Sequence, residues 1–345
     1  MKATIHDVAK HAGVSTGTVS NALTGKRPVA EATRQRIFAA MEELGYQPNL
    51  MARGLVNKRS HVLSIVITEL QDLGFYGYSS ALTGIQRKAN ELGYSLMLHF
   101  VNSSSEDEIL ATLDQIRARR ADGIIWAIHE ISGNRGWVDN IQRENYPPII
   151  FLHMHPDTSL NVVSIDNQAG ANLAVSHLIE QGCHTVGIIT GPSDWWESQA
   201  RLAGWQAALE HASLDTNPSL VVEGNWLAES GKSGLETLLN KRPDIDAVFT
   251  CNDSMALGAI QTTCRRGLSI PDDLLLVGYD NTPEAASYWP PLTSVRQGLQ
   301  QSGQIAVEEL HRMIETDVDD EIDPSQHIIQ PELIVRRSSL PDKRT

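Results

Sequence analysis

From Val62 onward the chain alternates short apolar runs with amphipathic stretches, and this alternation restricts the fold more than any other feature. VLSIVIT, YSLMLHFV and DGIIWAI are separated by YSSALTGIQRKANELG and EDEILATLDQIRARRA. After Pro147-Pro148 the pattern restarts with IIFL and VVSI, then continues through NQAGANLAVSHLIEQG, TVGIIT, SQARLAGWQAALEHA, LVVE, ESGKSGLETLLN, AVFTC, DSMALGAIQTTCRRG and LLLVGYD. Strands buried on both faces and each followed by a helix build right-handed βαβ crossovers on a parallel sheet. The restart predicts two such sheets, hence an α/β body of two similar lobes.

The first residues have another texture. Ile5, Val8, Ala9 and Ala12 mark one helical face, Gly13-Val14-Ser15 interrupts it, and Val19, Ala22 and Leu23 mark a second. Thr4 and Ser15 are placed to cap the two helices, Thr4 with Asp7 three residues later in a weak capping box. Thr33, Ile37, Ala40, Met41 and Leu44 then recur at helical spacing, a third helix stopped by Gly45 and Pro48. Two short helices across a glycine turn also occur in enzymes. In a DNA-reading pair the second helix enters the major groove and its first residues meet the base edges. Here those are Thr16, Gly17, Thr18, Ser20 and Asn21. Charge divides in the same place: up to Ser60 there are nine Lys/Arg against four Asp/Glu, which leaves 19 against 38 for the remainder. A basic head is the nucleic-acid candidate, and an acidic body repels a polyanion.

The segments DVAKHAGVSTGTVSNAL, TRQRIFAAMEELGYQPN and MARGL, in that order at the amino terminus, resemble the LacI/GalR family of bacterial transcription regulators, and the likeness continues along the whole chain. The resemblance implies a three-helix helix-turn-helix head over residues 1–47, a hinge over 48–60 and an effector-binding, dimerising body over 61–345. The body would have the periplasmic-binding-protein fold, with lobe 1 at about 61–162 and 292–323 and lobe 2 at about 163–291 and 324–340. By composition alone, Pro48 to Asn57 is a linker, too short for an isolated helix and weakened by Gly54. The family implies that it becomes a hinge helix when two subunits meet on DNA, with Asn49, Ala52 and Arg53 near the duplex and Leu55 wedged into the minor groove, where an apolar side chain unstacks a base step. Thr4, Ser15, Thr16, Gly17, Thr18, Ser20 and Asn21 complete the implied DNA surface. A homodimer on a palindromic double-stranded operator is expected, because two heads read two half-sites. Because the sequence runs only a few residues past Arg336-Arg337-Ser338, a leucine-heptad tail of the kind that makes the lactose repressor tetrameric is not expected.

Ligands of open parallel sheets sit beyond the carboxyl ends of the strands. Those ends carry Phe75, Tyr76, Trp126, His129, His153, Trp195, Trp196, Trp226, Asn252, Asp253 and Asp280, with Arg201 on the helix behind the paired tryptophans. Aromatic faces cover the apolar face of a sugar ring, and Asp, Asn and Arg take its hydroxyls. The effector-binding set expected is Phe75, Tyr76, Trp126, His153, Trp195, Trp196, Arg201, Trp226, Asn252, Asp280 and Gln297. The family resemblance assigns pocket positions to Arg201, Trp226, Asn252, Asp280 and Gln297, and His153 stands where some sugar-binding members carry a carboxylate. Asp253 reads as a helix cap.

Other chemistries find little support. Gly231-Lys232-Ser233 lacks the earlier glycine of a phosphate loop. The pair His153 and His155 has no third metal ligand at fixed spacing and reads as a polar cleft rim. Asp317 to Asp323 lacks the central glycine of a calcium loop. No nucleophile elbow or dinucleotide fingerprint occurs. Neither enzymatic activity, nor a cofactor, nor a metal is expected. Cys183, Cys251 and Cys264 show neither metal spacing nor an even count and read as buried small hydrophobes. With no apolar run long enough to span a bilayer and no signal-peptide core, a cytoplasmic location is expected.

Overall fold

A computed structural model of the chain describes residues 3–24, 27–46, 59–68, 75–101, 105–132, 134–138, 146–156, 159–316 and 323–341. It divides into two compact units, Met1–Ser60 and His61–Thr345. The hinge positions Asn49, Ala52, Arg53 and Leu55 lie outside the described residues, as do Asp317 to Ile322.

The head contains α1 (Ile5–Ala12), α2 (Thr16–Thr24) and α3 (Glu31–Glu43). The first turn of α1 is closed reciprocally: the Asp7 amide donates to Thr4 Oγ1 at 3.4 Å and the Thr4 amide donates to Asp7 Oδ2 at 2.9 Å. These bonds satisfy donors that a helix start leaves open. Gly13 ends the helix at φ 64°, a left-handed conformation that costs glycine nothing, and Ser15 Oγ accepts from the Thr18 amide at 3.1 Å to start α2. Val8, Ala9, Ala12, Val19, Ala22, Ile37 and Ala40 form the small core. His11 on α1 meets Glu43 on α3 at 2.7 Å.

The body is built on two six-stranded sheets. The first comprises β1 (Val62–Thr68), β2 (Ser95–Val101), β3 (Gly123–Trp126), β4 (Ile149–Leu152), β5 (Val162–Ile165) and β11 (Gln326–Ile329), in the order β11-β5-β4-β3-β1-β2 and all parallel. The second comprises β6 (Val186–Thr190), β7 (Val221–Glu223), β8 (Ala247–Thr250), β9 (Leu275–Asp280), β10 (Thr293–Arg296) and β12 (Glu332–Ile334), ordered β12-β10-β9-β8-β6-β7, with β12 alone antiparallel. Helices α4 (Phe75–Glu91), α5 (Glu106–Ala118) and α10 (Leu299–Glu315) belong to the first lobe. Helices α6 (Asn167–Glu180), α7 (Trp196–His211), α8 (Ala228–Lys241) and α9 (Asp253–Arg265) belong to the second. Along the first sheet, successive residues serve opposite faces: Leu63, Ile65, Ile67 and Ile125 pack on one side, Val66, Ile124, Trp126 and Phe151 on the other. Both faces are covered, which is why these strands read as unbroken apolar runs.

Glycine lets paired helices touch backbone to backbone. A Cβ at Gly84 on α4 would lie 1.9 Å from the Gln300 carbonyl oxygen on α10, and one at Gly231 on α8 would lie 2.0 Å from that of Met255 on α9. Gly231-Lys232-Ser233 is therefore a helix-packing segment.

The strand pairing moves the lobe boundaries expected from sequence. Val162–Ile165 completes the first sheet, whereas the family resemblance assigns residues from 163 to lobe 2. Thr293–Arg296, placed in lobe 1, pairs with β9 in the second sheet, and Gln326–Ile329, placed in lobe 2, pairs with β5 in the first. Each crossover follows its strand, because a sheet edge with unpaired backbone groups takes up the strand before the chain leaves the lobe. The lobes thus comprise roughly 61–165 with 298–329, and 166–297 with 330–341. The cysteines also divide: Cys183 and Cys251 are buried, whereas Cys264 is exposed near the end of α9. No helix among the described residues is long and apolar enough to cross a membrane.

Candidate functional site

Both sheets place strand order 2-1-3-4-5 around a reversal point, and the loops beyond their carboxyl ends meet at one cavity. It encloses about 690 Å³ of space free of protein atoms, counting solvent at its mouth. His129, His153, Ile165, Trp195, Trp226, Asn252, Asp280 and Gln297 come from the ends of successive strands, and Asn167, Trp196, Glu197 and Arg201 from the starts of α6 and α7. Gly77 and Leu299 complete the lining from α4 and α10.

Arg201 is the anchor of the second-lobe wall. Only 5% exposed, it donates from Nε to Asn167 Oδ1 at 2.8 Å and from Nη1 to the Cys251 carbonyl at 2.5 Å, with its guanidinium 3.8 Å from the Tyr279 ring centre. A cation tolerates such burial only with its donors occupied and a π face beneath it. Asn252 works structurally: its Oδ1 caps α9 by accepting from the Met255 amide at 2.8 Å, and its Nδ2 donates to the Trp226 carbonyl at 2.8 Å. It therefore holds the backbone of Trp226, which sits at φ 70° with its ring packed over Gly191. Asp253, read from sequence as the cap, instead accepts from the Thr282 amide at 2.7 Å and Ser294 Oγ at 2.6 Å, fastening the loop after β9. At the end of that strand Asp280, at φ 112°, accepts from Gln297 Nε2. Burial raises the carboxyls of both Asp280 and Asp253 above their ordinary range, against the lowering effect of Arg201 on Asp280.

The first lobe answers with imidazoles. His129 Nδ1 lies 2.6 Å from Glu197 Oε1 on α7, and His153 Nδ1 lies 3.8 Å from the same oxygen. The two rings stack with centroids 4.2 Å apart, and His129 also packs against Trp195 at 4.9 Å. Burial lowers the His153 imidazole to about 3. Burial by itself would raise Glu197, but the charge of and hydrogen bond from His129, with a contribution from His153, hold it below the usual carboxylate range. Close by, backbone bonds clasp the lobes: the Trp196 amide donates to the Glu130 carbonyl at 3.1 Å and the Ser132 amide to that of Asp194 at 3.0 Å, forming a bridge between Ile131 and Trp195.

Eight of the expected effector residues are thus brought together: His153, Trp195, Trp196, Arg201, Trp226, Asn252, Asp280 and Gln297. Trp126 is not among them. It is wholly buried in the first-lobe core, its ring centroid 4.4 Å from that of Trp137. It is the last paired residue of β3, still inside the sheet layer, and the cavity is reached three residues later by His129. The side chains of Phe75 and Tyr76 lie outside the described set, although their neighbour Gly77 lines the cavity. His129, Glu197, Asn167, Ile165, Leu299 and Gly77 line the cavity and are absent from the expected set. His129 is named among the strand-end residues yet left out of that set, and a carboxylate in the first turn after a strand-end Trp-Trp pair is the available signal for Glu197, whereas Asn167, Ile165 and Leu299 depend on where the crossovers fall. The histidine pair separates: His153 enters the cavity, while His155 is exposed, its amide donating to Glu130 Oε2 at 2.7 Å.

In the head, Ser15, Thr16 and Gly17 are exposed at the start of α2, while Thr18, Ser20 and Asn21 are half-buried. Thr18 Oγ1 lies 2.9 Å from Ser15 Oγ, so part of its hydrogen-bonding capacity is used locally.

Comparison with known proteins agrees with this division. Residues 4–49 match the model for bacterial regulatory proteins of the lacI family, and 175–339 that for a periplasmic binding protein-like domain. The chain is 33% identical over 338 residues to the HTH-type transcriptional repressor PurR of Haemophilus influenzae strain PittEE, covering 97% of this chain and 98% of that one. It is 32% identical over 343 residues to the HTH-type transcriptional regulator DegA of Bacillus subtilis strain 168, covering 99% of each. The lac repressor dimer bound to operator and the anti-inducer ONPF superposes with a TM-score of 0.83 at 28% identity, over 99% of this chain and 100% of that one. A complex of the transcriptional regulator CelR with cellobiose gives 0.71 at 29%, over 97% and 99%. Head and body, matched together over nearly the full length, show that the chain belongs to the LacI/GalR family of bacterial transcription regulators.

Proposed function

We propose that this regulator senses a sugar in the interlobe cavity and, as a homodimer, couples that binding to recognition of a palindromic operator in the cytoplasm. The observation carrying the ligand class is the wall itself: Trp195, Trp196 and Trp226 offer flat apolar faces, and Arg201, Asp280 and Gln297 stand among them with directional polar groups. Aromatic faces match the C–H face of a pyranose, and a carboxylate, amide and guanidinium match its hydroxyls. The solved complex with cellobiose supports this reading. The cavity groups are assigned to binding, with no catalytic role.

The body acts as a two-state element. Ligand bound between lobes already joined at Glu130–Trp196 and Ser132–Asp194 stabilises the closed arrangement, which alters the affinity of the paired heads for the operator. The coupling is reciprocal, so operator changes sugar affinity by the same factor. Thermal-shift screening of the full-length chain tests the ligand class: a sugar at a hundredfold over its Kd stabilises by about 2.7 kcal/mol. A shift with purines and none with sugars overturns the assignment.

On DNA, Thr16 and Asn21 are assigned to the outer half-site. Asn pairs best with adenine, a bidentate contact worth about 1–3 kcal/mol of discrimination. Asn21→Ala is expected to relax one base position in a mobility-shift selection, and an unchanged preference counts against the role. Binding should also weaken steeply with salt, as counterions are released.

A further inference from the structure

His129, His153 and Glu197 come from three separate segments and two lobes, yet their ligand atoms all lie within 4.8 Å of one another on the cavity wall. An interlobe ion pair needs only one imidazole, and His129 supplies it at 2.6 Å. The second imidazole, with Nδ1 turned to the same carboxylate oxygen at 3.8 Å, is surplus to that purpose. Glu197 is 4% exposed, and among the described residues its Oε2 is buried without a hydrogen-bond partner. His153 is held in place by a left-handed backbone at φ 55° and by its carbonyl, which accepts from the Glu130 amide at 3.0 Å.

We propose that these three side chains form a binding site for a divalent transition-metal ion of the Zn²⁺ type, bridging the lobes within the ligand cavity. Ligands about 2.0–2.2 Å from a tetrahedral ion stand about 3.4 Å apart, close to the His153–Glu197 spacing. The shorter His129–Glu197 contact is a hydrogen bond, and the ion takes the place of its shared proton. Two nitrogens and one carboxylate oxygen suit Zn²⁺, Co²⁺ or Ni²⁺ and disfavour Mg²⁺ and Ca²⁺, which require oxygen shells. Three protein ligands leave a fourth position, and since all three line the cavity it falls to water or to an oxygen of the cavity ligand, such as a hydroxyl or carboxylate. With His129 and His153 on the first lobe and Glu197 on the second, the ion fastens the closed arrangement. That regulatory consequence rests on the cleft being the sensing site, whereas the site itself stands on its geometry.

The test is calorimetric titration of chelator-stripped full-length protein with Zn²⁺, in parallel with Mg²⁺. One Zn²⁺ per chain is expected, with no saturable Mg²⁺ uptake. Glu197→Gln and His129→Gln should each lose the Zn²⁺ isotherm, while His211→Gln, at the end of α7, should keep it. Co²⁺ loaded into the unaltered protein should give the intense visible bands of a four-coordinate N/O site, bleached by Zn²⁺; this readout needs no variant to fold. Absence of saturable Zn²⁺ uptake, an isotherm unchanged in both cluster variants, or the weak bands of six-coordinate Co²⁺ each overturn the proposal. Sugar thermal shifts measured without metal report on the ligand reading separately.

Discussion

The two lobes share a strand order but divide the labour unequally. Among the described residues, nine of the fourteen that line the cavity belong to the second lobe, from Asn167 to Gln297, and five to the first. The second-lobe groups are locked to their own framework: Arg201 to Asn167 and Cys251, Asn252 to Trp226 and Met255, Asp280 to Gln297. The first-lobe imidazoles instead make their close polar contact across the cleft, with Glu197. One lobe therefore presents its polar groups already held in place, whereas the other meets it through imidazoles that reach across the cleft.

Removing the anchor of the rigid half should have the largest effect. Arg201→Ala abolishes two charge-assisted hydrogen bonds and leaves Asn167 Oδ1 and the Cys251 carbonyl buried without that donor, at a cost of about 3 kcal/mol in chemical denaturation. It should also eliminate the thermal shift given by the proposed sugar ligand; a variant that still responds fully would break the asymmetry. Gly191→Ala is the next test, since its Cβ would fall 2.0 Å from the Trp226 ring. Displacing that ring should cost about 1–3 kcal/mol and weaken binding of the proposed sugar ligand, read by titration of tryptophan fluorescence. Asn252→Ala should cost about 1 kcal/mol through the lost cap, and a crystal structure or near-ultraviolet dichroism should register a shifted Trp226.

The smallest effect expected is a pH dependence placed in the first lobe. Arg312 on the same helix holds the Glu309 carboxyl down at about 2, with help from Ser325 Oγ at 2.5 Å and from His327 on β11 at 3.4 Å, which together tie α10 to the returning strand. A carboxylate whose pKa is depressed on folding contributes stability that is complete above its unfolded value, 4.5, and is lost as pH falls through its folded one. Glu309→Gln should therefore flatten the decline in urea-measured stability from about pH 5 to about pH 3. Identical slopes in both proteins would remove this fastening from the account.

The head and the alternating body were legible because local chemistry decides them. Thr4, Asp7, Gly13 and Ser15 specify helix ends within a few residues of themselves, and apolar runs such as IIFL and VVSI announce strands covered on both faces. Strand ends likewise pointed to His153, Trp195, Trp226 and Asp280. Trp126 shows the limit of that rule, since one residue inside the last backbone pair faces core and three residues beyond it faces the cavity.

The sequence alone determined what depends on near neighbours: helix, turn and strand, the charge divide at Ser60, and the set of residues offered at the strand ends. Tertiary structure decided which sheet took each crossing strand, that Asn252 and not Asp253 caps α9, and that His129, His153 and Glu197 meet. Those outcomes rest on hydrogen-bond register and on approach between segments far apart in the chain, 68 residues for the His129–Glu197 pair and 164 for the Asn161–Ser325 contact beside the β5–β11 pairing, which no local pattern encodes.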